Sequence, residues 1–260
     1  MSFEVHPDWW KFLFDELYLL TDARTVADDD LTRREVDMLC DLMQLQPDDR
    51  ILDLCGGQGR HSLELATRGF GDCTVLDYSN VLLEKGREAA EEQGCRLEFV
   101  QGDATITGLP AASYDHVMIL GNSLGYLPEH SDDLKILLEA ERLLRPGGSL
   151  LLDVTDGTVV HERFNPNAWH EVADDIIVCR QRLLDDSAIK CREVVLCKQR
   201  GLLRDQTYAI RTYDGEKLVH MVGEAGFSEI NVQKGFASSE LKGDYGFMNH
   251  RLLVRGRKSE

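Results

Sequence analysis

A doubly wound α/β fold, with a mostly parallel sheet and helices on both faces, is what this 260-residue sequence predicts. Three observations carry the prediction. Apolar runs near 50–54, 73–77, 96–101, 114–120 and 148–154 alternate with helix-compatible segments near 59–68, 79–93 and 131–144. Three of these runs lead into an acid: Asp53, Asp77 and Asp103. A glycine cluster, Gly56-Gly57-Gln58-Gly59, follows the first. Ligands of such folds bind beyond the carboxyl ends of the strands, and all these acids and glycines fall there.

The first strand, turn and helix span Ile51 to His61. Gly57 and Gly59 remove side chains where a ligand approaches the backbone, and the helix that follows offers unpaired N–H groups to a carboxylate or phosphate. Asp53 accepts from an ammonium or hydroxyl. The site therefore suits a ligand with both charges. Three residues after Gly59 stands Ser62, so the third glycine of the dinucleotide fingerprint is absent, which counts against a nicotinamide or flavin dinucleotide. Asp77 closes the second run, 24 residues after Asp53, where an acid in a βαβ unit reaches both ribose hydroxyls. The fourth run ends at Gly121-Asn122-Ser123, and Arg145-Pro146-Gly147-Gly148 closes a helix and opens the fifth strand.

Residues 7–45 read as two helices. The first, Pro7 to Leu20, is rich in aromatics and is either a cap on the sheet edge or a lid over the ligand. Acids Asp28 to Asp30 open the second and suit its dipole. After the fifth strand, Ile176–Cys179, Lys190–Gln199 and Gln206–Thr212 read as strands joined by short turns at Asp185-Asp186-Ser187 and Arg200-Gly201, hence antiparallel. Asp214 to Gly226 is then a helix, with Phe227–Gln233 and Phe247–Val254 as the last strands. The expected division is a helical cap at 1–45, an α/β core at 46–154, an antiparallel insertion at 155–212 and a C-terminal completion of the core at 213–260.

Net charge is −17, from 46 acids against 29 bases, and the bases are scattered. Such a field repels nucleic acid and anionic membranes, so neither is expected as a partner. Seven cysteines with no C-x-x-C pair favour reduced thiols over a disulfide frame or a zinc site. The eight histidines form no H-x-x-x-H pair, so no metal is expected. No signal peptide or membrane span is evident, and a cytoplasmic protein is the expectation.

These elements, in this order, resemble the class I S-adenosylmethionine-dependent methyltransferases, closely over 46–154. Asp53 to Gly59 resembles the family's D-x-G-x-G-x-G loop, with Cys55 in the first glycine position. A side chain is tolerated there if the backbone has negative φ, since only positive φ demands glycine. The resemblance implies a Rossmann-like seven-stranded sheet, an inserted sheet that covers the substrate, and S-adenosylmethionine as cofactor. It implies that Asp53, Gly57 and Gly59 line the methionine portion, Asp77 the ribose, Tyr78 the adenine face, and Asp103 and Ala104 the adenine edge; Arg60, directly after the loop, either faces the methionine carboxylate or makes an outward salt bridge. Cys55, Gly56, Ser79, Leu120, Gly121 and Asn122 complete the cofactor lining. Ser123 sits beside the donor and Tyr126 close to the acceptor.

Catalytic candidates are Tyr126, Arg211 and Tyr213. Trp169 and His170 also stand at the edges of the insertion, and Arg211 is a candidate partner for an acceptor carboxylate. His61 is expected to cap or pack. The N-P-P-Y and Pro-Cys sequences that mark base-modifying members are absent after strand four. With the acidity, this favours a small-molecule acceptor, at an amine or hydroxyl group, by direct in-line displacement. The alternatives are a methyltransferase of tRNA or protein, and a non-catalytic protein that binds the cofactor for regulation. An edge strand or the aromatic N-terminal helix offers a surface for a homodimer.

Overall fold

The computed structural model describes residues 3–22, 28–172, 174–185, 187–236 and 250–260. The chain begins with α1 (Trp10–Leu13), α2 (Glu16–Thr21) and α3 (Asp29–Met43). The alternating region runs β1 (Arg50–Leu54), α4 (Arg60–Thr67), β2 (Asp72–Asp77), α5 (Asn80–Gln93), β3 (Glu98–Gln101), β4 (Tyr114–Ile119), α6 (His130–Leu143) and β5 (Leu144–Thr155). A short α7 (Gly157–Glu162) leads into β6 (Asn167–Val172), β7 (Ile176–Leu184), β8 (Ala188–Cys197) and β9 (Gly201–Arg211). The chain closes with α8 (Gly215–Glu224), β10 (Phe227–Phe236) and β11 (Arg251–Lys258).

Seven strands form one sheet in the order β10-β11-β5-β4-β1-β2-β3. The five strands from β5 to β3 are parallel, and β11 runs antiparallel to both β5 and β10. Strand order reverses between β4 and β1, so their carboxyl ends flank a crevice. The period of two sorts each strand's side chains between two cores. Leu52 and Leu54 of β1, Val117 and Ile119 of β4, and Leu150 and Leu152 of β5 pack with Leu137 and Leu143 of α6 and Leu218 and Val222 of α8. Ile51, Met118, Leu151 and Leu253 face the other side and pack with Val36, Leu39 and Met43 of α3 and Leu65 of α4.

A second, antiparallel sheet has the order β6-β7-β8-β9. Ile176, Val178, Val195 and Cys197 on one face pack against Leu17 and Leu20 of α2. The insertion thus has four strands where the sequence suggests three. The missing strand, β6, is largely exposed and follows Asn165-Pro166, a pair that reads as loop. The single N-terminal helix expected over Pro7–Leu20 is divided at Phe14-Asp15. Asp15 takes an extended backbone and its carboxylate accepts from the Tyr18 N–H at 3.0 Å, which starts α2. The last strand begins at Arg251 and runs on to Lys258, beyond its expected end at Val254. Its charged half is held by pairing with β5 and β10 rather than by apolar pattern; residues 247–249 lie outside the described residues. The Arg145-Pro146-Gly147-Gly148 turn is an irregularity within β5, where the pairing jumps from Tyr114–Leu144 to His116–Ser149. No helix among the described residues is long and apolar enough to cross a membrane.

A buried ionic chain ties these layers together. Arg251 of β11 donates to Asp153 Oδ2 of β5 at 2.8 Å and to Glu35 of α3. Glu35 Oε2 also takes Arg60 Nη1 at 2.5 Å and His61 Nε2 at 2.9 Å, both from the start of α4. Burial alone would raise the Glu35 carboxyl, but Arg251 and Arg60 hold it well below its usual range. His61 is pushed down to about 4 by burial and by Arg60, so its contact with Glu35 is a hydrogen bond of a neutral ring. Removing one partner strands buried charge on the others. Arg251→Met should therefore cost about 3–5 kcal/mol, read as a fall in the urea midpoint without a change of slope.

Candidate active site

A cavity of about 270 Å³ sits at the carboxyl ends of β1, β2 and β4. Asp53, at the end of β1, is 1 % exposed. Its Oδ2 accepts from Ser62 Oγ at 3.0 Å, and its Oδ1 is buried with no hydrogen-bond partner among the described residues. Burial pushes its carboxyl up to about 6, against the lowering effects of Ser62 and Arg60. A side chain on Gly56 would meet the Asp53 carboxyl carbon at 2.7 Å, so this glycine answers a close approach. Gly57 has φ +60° and donates its N–H to Asp77 Oδ2 at 2.8 Å.

Cys55 does not meet the condition of negative φ. Its φ is +62°, in the left-handed region that favours glycine, so the side chain is accommodated at a backbone cost. The thiol packs against the main core and burial pushes it well above its ordinary range. A neutral, inert thiol follows.

Asp77 closes β2, and its other oxygen accepts from the Ser79 N–H at 2.8 Å. The carboxylate therefore braces the first and second loops. Burial raises its pKa against these backbone hydrogen bonds. Tyr78 stands edge-on to Trp10, with ring centroids 4.7 Å apart. Both line the cavity, as do Ser79, Asp103 and Ala104. The Trp10 indole N–H is buried without a partner among the described residues. Leu120, Gly121, Asn122 and Ser123 line the cavity from the end of β4. Gly121 and Asn122 have φ of +67° and +65°, and Asn122 Oδ1 accepts from the Thr155 N–H at 2.8 Å, which fixes this turn against β5.

The cavity's other half lies under α1, α2 and the second sheet. Its aromatic wall is Trp9, Phe14, Tyr18, Tyr126 and Tyr208. Tyr126 meets Trp9 edge-on at 5.5 Å and Phe14 at 5.6 Å. Burial pushes the Tyr126 phenol up, so it stays protonated and acts as a hydrogen-bonding group rather than an anion. Asp22, Arg180, Arg182 and Glu193 bring charge to the roof.

Of the residues the sequence nominates for the cofactor, all but Gly59 line this one cavity. Gly59 instead caps α4 at φ +71°, where a side chain would strike Val75 at 2.8 Å. Arg60 does reach the cavity, but its Nη1 is committed to Glu35 and to Thr32 Oγ1 at 2.8 Å. Tyr126 lines the cavity; Arg211 and Tyr213 do not. Both bind the buried Asp133 of α6, and Arg211 also donates to the carbonyls of Leu127 and Pro128 at 3.2 and 3.0 Å. They brace the loop that carries Tyr126 from behind. Trp169 is 70 % exposed on β6, and His170 contacts the Thr21 carbonyl at 3.2 Å; neither lines the cavity.

Sequence reading misses Trp10, Tyr18, Asp22, Arg180, Arg182, Glu193 and Tyr208. One signal was available. Arg180 and Arg182 continue the alternation begun by Ile176 and Val178, and Glu193 shares that of Cys191 and Val195. Charges on the apolar face of a strand are buried charges. Separately, the Cys55 geometry predicts that Cys55→Gly is more stable than Cys55→Ala by about 1 kcal/mol, since only glycine relaxes at positive φ; paired urea titrations measure the difference.

Residues 51–148 match a family described as a methyltransferase domain, Methyltransf_25. The chain is 28 % identical over 215 residues to the putative methyltransferase YqeM of Bacillus subtilis, covering 81 % of this chain and 85 % of that one. It is 27 % identical over 203 residues to the glycine/sarcosine N-methyltransferase of Aphanothece halophytica, covering 77 % and 74 %. A crystal structure of an S-adenosylmethionine-dependent methyltransferase from Clostridium acetobutylicum shares the fold, with a TM-score of 0.73 at 16 % identity over 94 % of this chain and 97 % of that one. Domain match, relatives and strand order agree: together they support a class I S-adenosylmethionine-dependent methyltransferase, an enzyme with S-adenosylmethionine as methyl donor.

Proposed function

We propose that this methyltransferase acts on a small-molecule acceptor, at an amine or hydroxyl group. The observation that carries the reading is the enclosure of the acceptor half by Trp9, Phe14, Tyr18, Tyr126 and Tyr208 under the second sheet. A chamber walled by five aromatic side chains suits a compact ligand. The relative that methylates glycine and sarcosine, by its name, favours nitrogen.

When bound, the cofactor would supply a sulfonium methyl group to an acceptor lone pair, the C–S bond breaking as the new bond forms and S-adenosylhomocysteine leaving with the electron pair. The protein's work is alignment and exclusion of water. The orphaned Asp53 Oδ1 fits the cofactor's ammonium group, and the start of α4 its carboxylate. Asp77 would hold the ribose, with Tyr78 and Trp10 against the adenine and Asp103 and Ala104 at its edge. Asn122 and Ser123 would stand beside the donor and Tyr126 close to the acceptor, with residues 155–212 as the acceptor's cover. A protonated amine must lose its proton before attack.

A pH dependence follows from Asp53. Below about pH 6 its carboxyl is protonated and no longer opposes an ammonium charge. Affinity for S-adenosylhomocysteine should fall by up to about tenfold per unit below that point, and Asp53→Asn should flatten the profile. Stability of the ligand-free protein runs the other way. A carboxyl whose folded pKa lies above its unfolded value contributes stability at low pH, and that contribution is lost as pH rises through about 6. Calorimetric titration with S-adenosylhomocysteine across pH 5–8 measures the first effect. A screen of small amines and phenols with a labelled methyl donor then tests the acceptor class. Transfer to tRNA or protein alone would replace this reading.

A further inference from the structure

The roof of the acceptor chamber carries a charge cluster for which methyl transfer itself has no use. Arg180 of β7 lies directly opposite Glu193 of β8 in the strand register. Its Nε donates to Glu193 Oε2 at 2.8 Å, and its Nη2 to Asp22 Oδ2 at 2.9 Å and Oδ1 at 3.1 Å. Its third nitrogen, Nη1, makes no hydrogen bond among the described residues, and the side chain lines the cavity. Arg204 of β9 donates to Glu193 Oε1 at 3.2 Å, and Arg182 lines the same roof. Arg180 and Arg204 therefore share the Glu193 carboxylate, with Asp22 on the far side of Arg180 and Asp15, half exposed, reaching Arg204 from the surface side.

We infer that Arg180 recognises a carboxylate on the acceptor, so that the substrate class is a small carboxylic acid bearing the group to be methylated. The inference rests on the small-molecule reading above. Asp22 and Glu193 hold two edges of the guanidinium, so the planar fork is fixed before the ligand arrives and Nη1 presents its N–H groups without further ordering. An arginine so placed prefers a carboxylate over an isosteric amide, because the hydrogen bond is charge-assisted on both sides. The aromatic wall then receives the remainder of the acceptor.

The test uses the protein saturated with S-adenosylhomocysteine, titrated calorimetrically with benzoate and with benzamide at neutral pH. Benzoate should bind more tightly by about tenfold or more, the size of a hydrogen bond to a charged group. Arg180→Gln should abolish that preference while S-adenosylhomocysteine affinity holds, and Arg180→Lys should restore only part of it. Equal affinities, a preference for benzamide, or binding of neither fragment would overturn the assignment. Should Arg180→Gln fail to fold, the wild-type pair of titrations decides alone. Failure of the small-molecule reading looks different: methyl transfer would then appear with macromolecular acceptors only.

Discussion

The Glu35 carboxylate is the point on which the molecule's two long-range connections meet. It lies in α3, is 2 % exposed, and joins Arg251 of the last strand to Arg60 and His61 at the head of α4. Through Arg251 the same chain reaches Asp153, whose Oδ2 accepts from the Gly121 N–H at 3.2 Å. One buried acid thus couples an N-terminal helix, the C-terminal strand and both loops beneath the cofactor half of the cavity. Four charged groups in an apolar interior are stable only as a set. Their geometry also fixes where α4 begins relative to Asp53.

The acceptor half is built on a different principle. There, side chains from elements far apart in the sequence meet across a cleft: Asp15 with Arg204, Asp22 with Arg180, Ser79 Oγ with the Phe14 carbonyl at 2.6 Å, Thr207 Oγ1 with the Glu4 carbonyl at 2.7 Å. Beside these polar links, Leu17 and Leu20 pack on the second sheet, and the rings of Trp9, Phe14 and Tyr126 pack on one another.

The legibility of the sequence divides along the same line. The parallel core is readable because its inner strands are apolar runs buried on both faces and each turn carries its own chemistry, as at Asp53 to Gly59. Ligand positions follow, since they lie at strand ends, and strand ends are local. The chamber is not readable in this way. Arg211 and Arg180 look alike as isolated basic residues in β-strand sequence, yet one braces Asp133 and the other faces the cavity. Which way each points depends on register between strands and on an N-terminal segment about 160 residues away, as in the Arg180–Asp22 pair. The backbone of Cys55 was likewise hidden: residue type left the sign of φ open, and the loop, hydrogen-bonded to β2 through Gly56 and Gly57, takes the positive value.

The placement of α1 and α2 ties the two halves of the cavity together. Trp10 stands beside Tyr78 over one half, and Tyr18, on the next short helix, lines the other. A single stretch of chain therefore bounds both compartments, so a substitution that shifts this stretch alters both walls at once.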